Sequence, residues 1–365
     1  SGRRPNGTWA SHDDLRIMQE KPSIMKVRTA SSTKTCVSGK ASYAPAWHLL
    51  LCLVVGAWGV TACRSAVSLR SEAGTGALAA PFLMVLGVAQ DGGYPQAGCE
   101  KACCRVVREG RAPVRSVTGL ALVDPTGGSY WLFEATPDIG RQMGAVWARV
   151  PSVGRLPKGI FLTHAHIGHY AGLMQLGREV MGARAIPVHA MPRMRGYLSG
   201  NGPWSQLVSA GNIELRPMVA DSGVDLPSGV RVTPFLVPHR DEYSETVGYR
   251  IEGPSQRVLF IPDIDKWERW GRDITDALRG CDLALVDGTF FDGTELPGRD
   301  MREIPHPSVT ESMARFAPLP DSLRRRVCFI HFNHTNPLLR HGSRERQAVG
   351  AAGYRVAEEG MLIGL

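Results

Sequence analysis

No internal repeat of fixed period runs through these 365 residues, which excludes solenoid and propeller architectures. No apolar run is long enough for a comfortable membrane span. The strongest, Trp47–Gly59, falls short of the roughly 20 residues that a spanning helix needs. A charge excess is also missing from most of the chain. The formal net charge is +8, but residues 1–62 hold eight Lys/Arg against three Asp/Glu, which leaves +3 for the rest. No nucleic-acid partner is therefore expected, and Arg324-Arg325-Arg326 reads as a solvated loop before the last strand rather than a phosphate track. What is abundant is Gly (41) and Pro (25), which fits a loop-rich α/β or β-sandwich protein. The length suits one large domain or two small ones, with a substantial core.

Three histidines stand within Thr163-His164-Ala165-His166-Ile167-Gly168-His169. The apolar run Gly159–Leu162 before them reads as a buried strand, and Tyr170–Gly182 after them reads as a helix, with Leu173, Met174, Leu176 and Val180 apolar. On such a strand-to-helix turn His164 and His166 point to one side and His169 swings in from the first helical turn. Neutral imidazole is the commonest zinc ligand, and a catalytic zinc keeps one position open for water. The plain alternative is a His-rich surface loop.

Isolated metal-type residues follow at the ends of other strand-like runs. Val230–Val237 leads to His239, Val258–Ile261 to Asp263, and Val327–Ile330 to His331. A sheet that presents ligands from several strand ends converges distant residues on one place. Any one of the three alone reads more readily as a satisfied structural residue; their order makes the pattern.

With these residues the chain resembles the metallo-β-lactamase superfamily, and within it the coenzyme PQQ biosynthesis protein B branch with its phosphodiesterase relatives. The resemblance covers about Pro81 to Leu339 and is carried further by Leu86–Gln96, Pro238-His239-Arg240-Asp241 and His331–Pro337. It implies an α/β fold, an αββα sandwich of two mixed β-sheets flanked by helices, with metals at one edge. It also implies that His164, His166 and His239 hold a first metal, that Asp263 bridges, and that His169 and His331 hold a second. The family motif carries Asp where this chain has Gly168. The second site would then lose a ligand and charge, so one catalytic ion or two are both open, with Asp265 a candidate substitute.

Cys99, Cys103 and Cys104 cluster after the first strand. Three thiolates and one imidazole complete a tetrahedral structural zinc, and the resemblance places that imidazole at His334. A disulfide is the alternative that an oxidising periplasm would permit. Cys281 and Cys328 adjoin apolar stretches and read as core.

The N-terminal part reads as export machinery. Residues 1–24 look like an untranslated or disordered extension. Residues 25–62 combine Lys26, Arg28, Lys34 and Lys40 with the apolar core, as a signal peptide does. Val60-Thr61-Ala62-Cys63 resembles a bacterial lipobox, with lipidation at Cys63 and a membrane-anchored lipoprotein facing the periplasm as the consequence; an ordinary signal peptide or a membrane anchor is the alternative. Residues 63–80 form a tether and residues 81–365 the metallo-β-lactamase-like domain.

Zinc held by neutral histidines lowers the pKa of bound water to about 7. The expected function is an exported zinc-dependent hydrolase that uses this hydroxide on a small-molecule substrate, a small phosphodiester or cyclic ester. Asp263 would orient the water and His306 would protonate the leaving group, unless His306 is only a loop residue before the helix at Ser308. Asp241, Glu242 and Tyr243 would border the substrate. A biosynthetic or oxidative role with iron or zinc is the second reading, since His/Asp sites also accept iron. A metal-binding protein without turnover is the third. The fold alone is no reason to name a β-lactam as substrate.

Overall fold

The computed structural model describes residues 79–365. Cys63, the export segment and all but the end of the tether lie outside the described residues. The first strand shows how the chain builds two layers. In β1 (Phe82–Gly87) Leu83 and Val85 face one apolar core, while Phe82, Met84 and Leu86 face a second. Side chains alternate across a strand, so a strand buried on both faces reads as one continuous apolar run.

Five further strands follow in the first sheet: β2 (Gly119–Asp124), β3 (Ser129–Phe133), β4 (Ile160–Phe161), β5 (Ile186–Ala190) and β6 (Ile213–Pro217). The second sheet holds β7 (Val224–Leu226), β8 (Val230–Leu236), β9 (Val247–Glu252), β10 (Arg257–Ile261), β11 (Leu283–Asp287), β12 (Val327–Ile330) and β13 (Arg355–Val356). The chain then returns to the first sheet, where β14 (Leu362–Gly364) pairs antiparallel with β1. Each sheet has seven strands, in the orders β14-β1-β2-β3-β4-β5-β6 and β13-β12-β11-β10-β9-β8-β7. Both are mixed: β3 to β6 and β10 to β13 run parallel, and the remaining pairs are antiparallel. This is the αββα sandwich expected from the resemblance.

Phe133, Phe161, Tyr249 and Phe260 join the sheets. Phe133 stacks on Phe161 at 5.2 Å and meets Tyr249 and Phe260 edge-on at 5.3 and 6.2 Å. The second core lies between the first sheet and α2 (Ile139–Arg149), which buries Ile139, Met143 and Val146 at helical spacing. Each such side chain contributes roughly 1.5–3 kcal/mol of burial.

Three local expectations need correction. The helix read over Tyr170–Gly182 is instead a four-residue turn of α-helix, Ile167–Tyr170, followed by 3-10 turns over Ala171–Leu176. Gly172 presses against Thr136, where a Cβ would stand 1.9 Å from the carbonyl oxygen, so contact rather than propensity sets this segment. The strand Val327–Ile330 is not the last. The arginines before it are not all solvated either, because Arg326 donates to the carbonyls of Leu278 and Cys281. Among the described residues no helix is long and apolar enough to cross a membrane.

Candidate metal centre

The ends of β1, β4, β8, β10, β11 and β12 meet at one edge of the sandwich. After β4 the chain turns sharply, His166 stands at the N-cap of the helix Ile167–Tyr170, and His169 falls inside it. His239 follows β8, Asp263 follows β10 and His331 follows β12. His164 Nε2 lies 2.8 Å from His166 Nδ1 and 3.4 Å from Asp263 Oδ2, and His239 Nε2 lies 3.2 Å from Asp263 Oδ1. One ligand atom from each of these four residues falls within 4.8 Å of the others. On the far side of Asp263, His169 Nε2 and His331 Nε2 are 3.7 and 3.9 Å from its Oδ2. The structure thus brings together all six residues expected to hold metal.

Asp265 is not among them. Its Oδ2 pairs with Arg269 at 2.6 Å and its Oδ1 accepts the Lys266 backbone N–H, so it turns away from the histidines. The carboxylate that faces them is Asp91, on the turn after β1, with Oδ1 3.2 Å from His169 Nε2 and 3.9 Å from His331 Nε2.

His306 is brought in too. Its Nδ1 is 2.9 Å from Asp287 Oδ2 and 3.1 Å from Asp263 Oδ1. Asp287, the last residue of β11, also accepts the Ile264 and Thr289 N–H groups. Outer partners fix the rings. Thr163 Oγ1 sits 2.9 Å from His164 Nδ1 and donates to buried Glu134, whose Oε1 is also 3.2 Å from His169 Nδ1. Thr289 Oγ1 is 3.0 Å from His331 Nδ1. Such partners orient metal-binding imidazoles and select their tautomers. Two of these residues have left-handed backbones, Glu134 at φ 79° and His331 at φ 66°. Strain of this kind collects where the surrounding structure holds a residue for function.

The electrostatics suit a cation. Burial lowers the pKa of His164, His166 and His239, the last to about 4, so these rings stay neutral as ligands must be. Asp263 and Asp91 are held well below the usual carboxylate range. Burial opposes this, but His239, His306 and His331 outweigh it at Asp263, and His169 and His331 at Asp91. For His169 burial works the other way and is outweighed by Glu134 and Asp91, which raise it. His306, despite its burial, is pushed up to about 10 by Asp287 and Asp263. Asp91 Oδ1, His169 Nε2, His331 Nε2, Asp263 Oδ1 and both ring nitrogens of His239 are buried without a hydrogen-bond partner. Buried polar atoms that converge without bonding each other fit a metal between them.

A second cluster lies beyond His331. Cys99, Cys103, Cys104 and His334 bring four ligand atoms within 4.8 Å of one another, and all three cysteines are free thiols. His334 Nδ1 is 3.4 Å from Cys104 Sγ and 3.6 Å from Cys103 Sγ, and the Gln96 N–H points at Cys104 Sγ at 3.3 Å. Cys103 and Cys104 lie in the first turn of α1 (Ala102–Arg108), and Cys99 lies just before it. Cys281 and Cys328 are buried core residues and belong to neither cluster.

Tyr243 is exposed beside this edge and leans on Tyr197, with ring centroids 5.2 Å apart. Glu242 Oε2 reaches to 3.4 Å from His166 Nε2, and Asp241 pairs with Arg193 at 3.0 Å. Sequence reasoning missed Asp91, Asp287 and Glu134 as members of the site. Asp287 carried the same signal as Asp263, a carboxylate ending an apolar β-run, and Glu134 likewise follows β3.

Comparison with known proteins agrees with this architecture. The family model described as the β-lactamase superfamily domain matches residues 130–332. Coenzyme PQQ synthesis protein B of Methylobacterium sp. (strain 4-46) is 30% identical over 307 residues, covering 77% of this chain and 99% of that protein. The protein of the same name from Xanthomonas oryzae pv. oryzae is 30% identical over 313 residues, covering 78% and 99%. Among solved structures, zinc-bound PqqB from Methylobacterium extorquens aligns with a TM-score of 0.65 at 25% identity, over 78% of this chain and all of that one. A diphosphatase from the PhnP family shares the fold at a TM-score of 0.56 and 20% identity, over 78% and 98% of the two chains.

Proposed function

This chain belongs to the β-lactamase superfamily, in the branch of the coenzyme PQQ synthesis protein B proteins, and on that premise we propose that it is a zinc-dependent hydrolase of a small phosphodiester or cyclic ester. The observation that carries this reading is the set of buried, unpartnered ligand atoms on His239, Asp263, His169 and His331 at one sheet edge. Zinc at such a site supplies Lewis acidity and brings the pKa of water to about 7. His164, His166 and His239 hold it as neutral imidazoles, with Thr163 orienting His164 and Thr289 orienting His331. Asp263 stands between the two halves of the site, where it balances charge and orients the attacking water. His306, steadied by Asp287, protonates the leaving group. Tyr243 and Glu242 border the substrate, and no nucleic-acid partner is part of this reading. Cys99, Cys103, Cys104 and His334 hold a further, structural zinc. The zinc in the related PqqB structure supports the choice of metal.

The branch itself favours a second reading, an oxidative or biosynthetic role with iron or zinc in the same site. Metal analysis of protein purified without added metal narrows the choice: iron supports oxidation, and zinc leaves the decision to turnover. A turnover screen with bis-p-nitrophenyl phosphate, nitrocefin and a simple ester then tests hydrolysis. Failure on all three with zinc bound would leave metal binding without hydrolysis.

Export with lipid attachment at Cys63, facing the periplasm, is part of the same proposal. Its support is the sequence Val60-Thr61-Ala62-Cys63 after a signal-length apolar core. Mass spectrometry of the mature N-terminus tests it, and cleavage anywhere else overturns it.

A further inference from the structure

The superfamily motif has a carboxylate where this chain has Gly168. A Cβ at that position would stand 2.4 Å from Asp91 Oδ1, 2.5 Å from Asp91 Cα and 2.8 Å from Asp91 Cγ. The space for a side chain at 168 is therefore filled by Asp91, both its carboxylate and its backbone. Asp91 is placed by the sheet edge. Ala89 bridges to Val117 and Phe332, the Gln90 N–H donates to the Phe332 carbonyl at 2.8 Å, and the Gly93 N–H closes the turn onto Gln90 at 2.7 Å. The segment after β1 is thus fastened to the residue that follows His331. Its carboxylate points at the unpartnered Nε2 atoms of two histidines, with ligand atoms of Asp91, His169 and His331 all within 4.8 Å. Oδ1 has no hydrogen-bond partner although it is buried.

We infer that Asp91 has taken over the lost ligand position, so that Asp91, His169, His331 and the bridging Asp263 form a complete second metal site. The carboxylate has moved from the helix to the loop after β1, and Gly168 is the vacancy that admits it. This rests on the metal-hydrolase reading above. It gives the second site the charge and ligand number that the motif alone denies it. It also makes Gly168 a requirement of the site rather than a defect. Restoring the family residue with Gly168→Asp should then drive Asp91 out and lower thermal stability without adding a metal ion.

The test counts zinc per chain after dialysis against a weak chelator and measures affinity by chelator competition with Zn²⁺. The wild-type protein should hold two active-site ions besides the structural one. Asp91→Asn, which keeps shape and removes charge, should hold one active-site ion, with second-site affinity down by at least tenfold, since even outer partners of metal ligands are worth about 10–100-fold. Gly168→Ala attacks the same contact from the other side and should lose the same ion while keeping the first. Wild-type levels of both ions in Asp91→Asn, or in Gly168→Ala, overturn the inference and leave the hydrolase reading standing. A wild-type protein with a single active-site ion does the same. A wild-type protein with no active-site ion overturns both.

Discussion

The two donor clusters are separated in the chain by only His331 to His334, and they differ in almost every other respect. The active-site set is made of imidazoles and carboxylates from five or more separate strand ends, with additional carboxylates, Glu134 and Asp287, behind it. The cysteine set has four donors, no carboxylate, and three of its members within one short turn and helix start. Three thiolates and one imidazole make a closed tetrahedral site that leaves nothing to react, whereas catalytic zinc keeps a position open. Both sets gather at the same edge of the sandwich, where the proposed reading gives one to chemistry and the other to fastening. The segment after β1 takes part in both, through Asp91 on one side and Cys99 on the other.

The largest effect expected is loss of turnover. His166→Ala and His239→Ala should each abolish hydrolysis and reduce bound metal, with the melting temperature little changed, because these rings come from separate elements of a preformed scaffold. Full activity and full metal content in either variant would break the comparison. Next is stability. His334→Ala should lower Tm by about 10 °C or more, since structural zinc binding is itself folding free energy of several kcal/mol. His331→Ala, three residues away, should mainly remove activity. Equal Tm losses in the two, read by scanning calorimetry, would show that the sites do not divide their roles.

A smaller change should come from His306→Gln. If it donates the proton, kcat should fall by about 10²–10⁴-fold with zinc content intact, the usual worth of general acid catalysis. Loss of metal in this variant would move His306 into the ligand set instead. The smallest effect lies outside both clusters. His189 stacks on Phe161 at 4.4 Å, and burial, aided by Arg216, depresses its pKa to about 4. The unfolded chain takes up a proton first as pH falls below about 6.5, so this ring's share of stability is present above that pH and lost on the way down to about 4. His189→Phe should flatten the stability profile over that window and leave zinc content alone. An unchanged slope would assign the acid sensitivity to the metal-site histidines.

Much of this arrangement was legible in the sequence because strand-end ligands follow apolar runs. His239, Asp263 and His331 each closed one, and the short spacing of His164, His166 and His169 announced a tight turn. Cys99, Cys103, Cys104 and His334 were placed together from residue type and resemblance. Asp91 was hidden for a physical reason: it substitutes in space for a residue 77 positions later in the chain, and no periodicity records that. Looking only for nearby carboxylates led to Asp265, which Arg269 captures instead. The helix after His169 failed because glycine contacts with Thr136 override its apolar spacing. The strand β14 was missed because it closes the first sheet from the far end of the chain.

His331, whose ring lies in the cleft, has a left-handed backbone. For a residue other than glycine that conformation costs about 1–3 kcal/mol. Asparagine or glycine would sit there with less strain. Selection for heat resistance and selection for turnover therefore pull in opposite directions at this one residue. A library of variants screened on thermal survival alone should drift toward Asn or Gly at 331 and discard the ligand, whereas a screen on turnover should keep histidine in spite of its backbone.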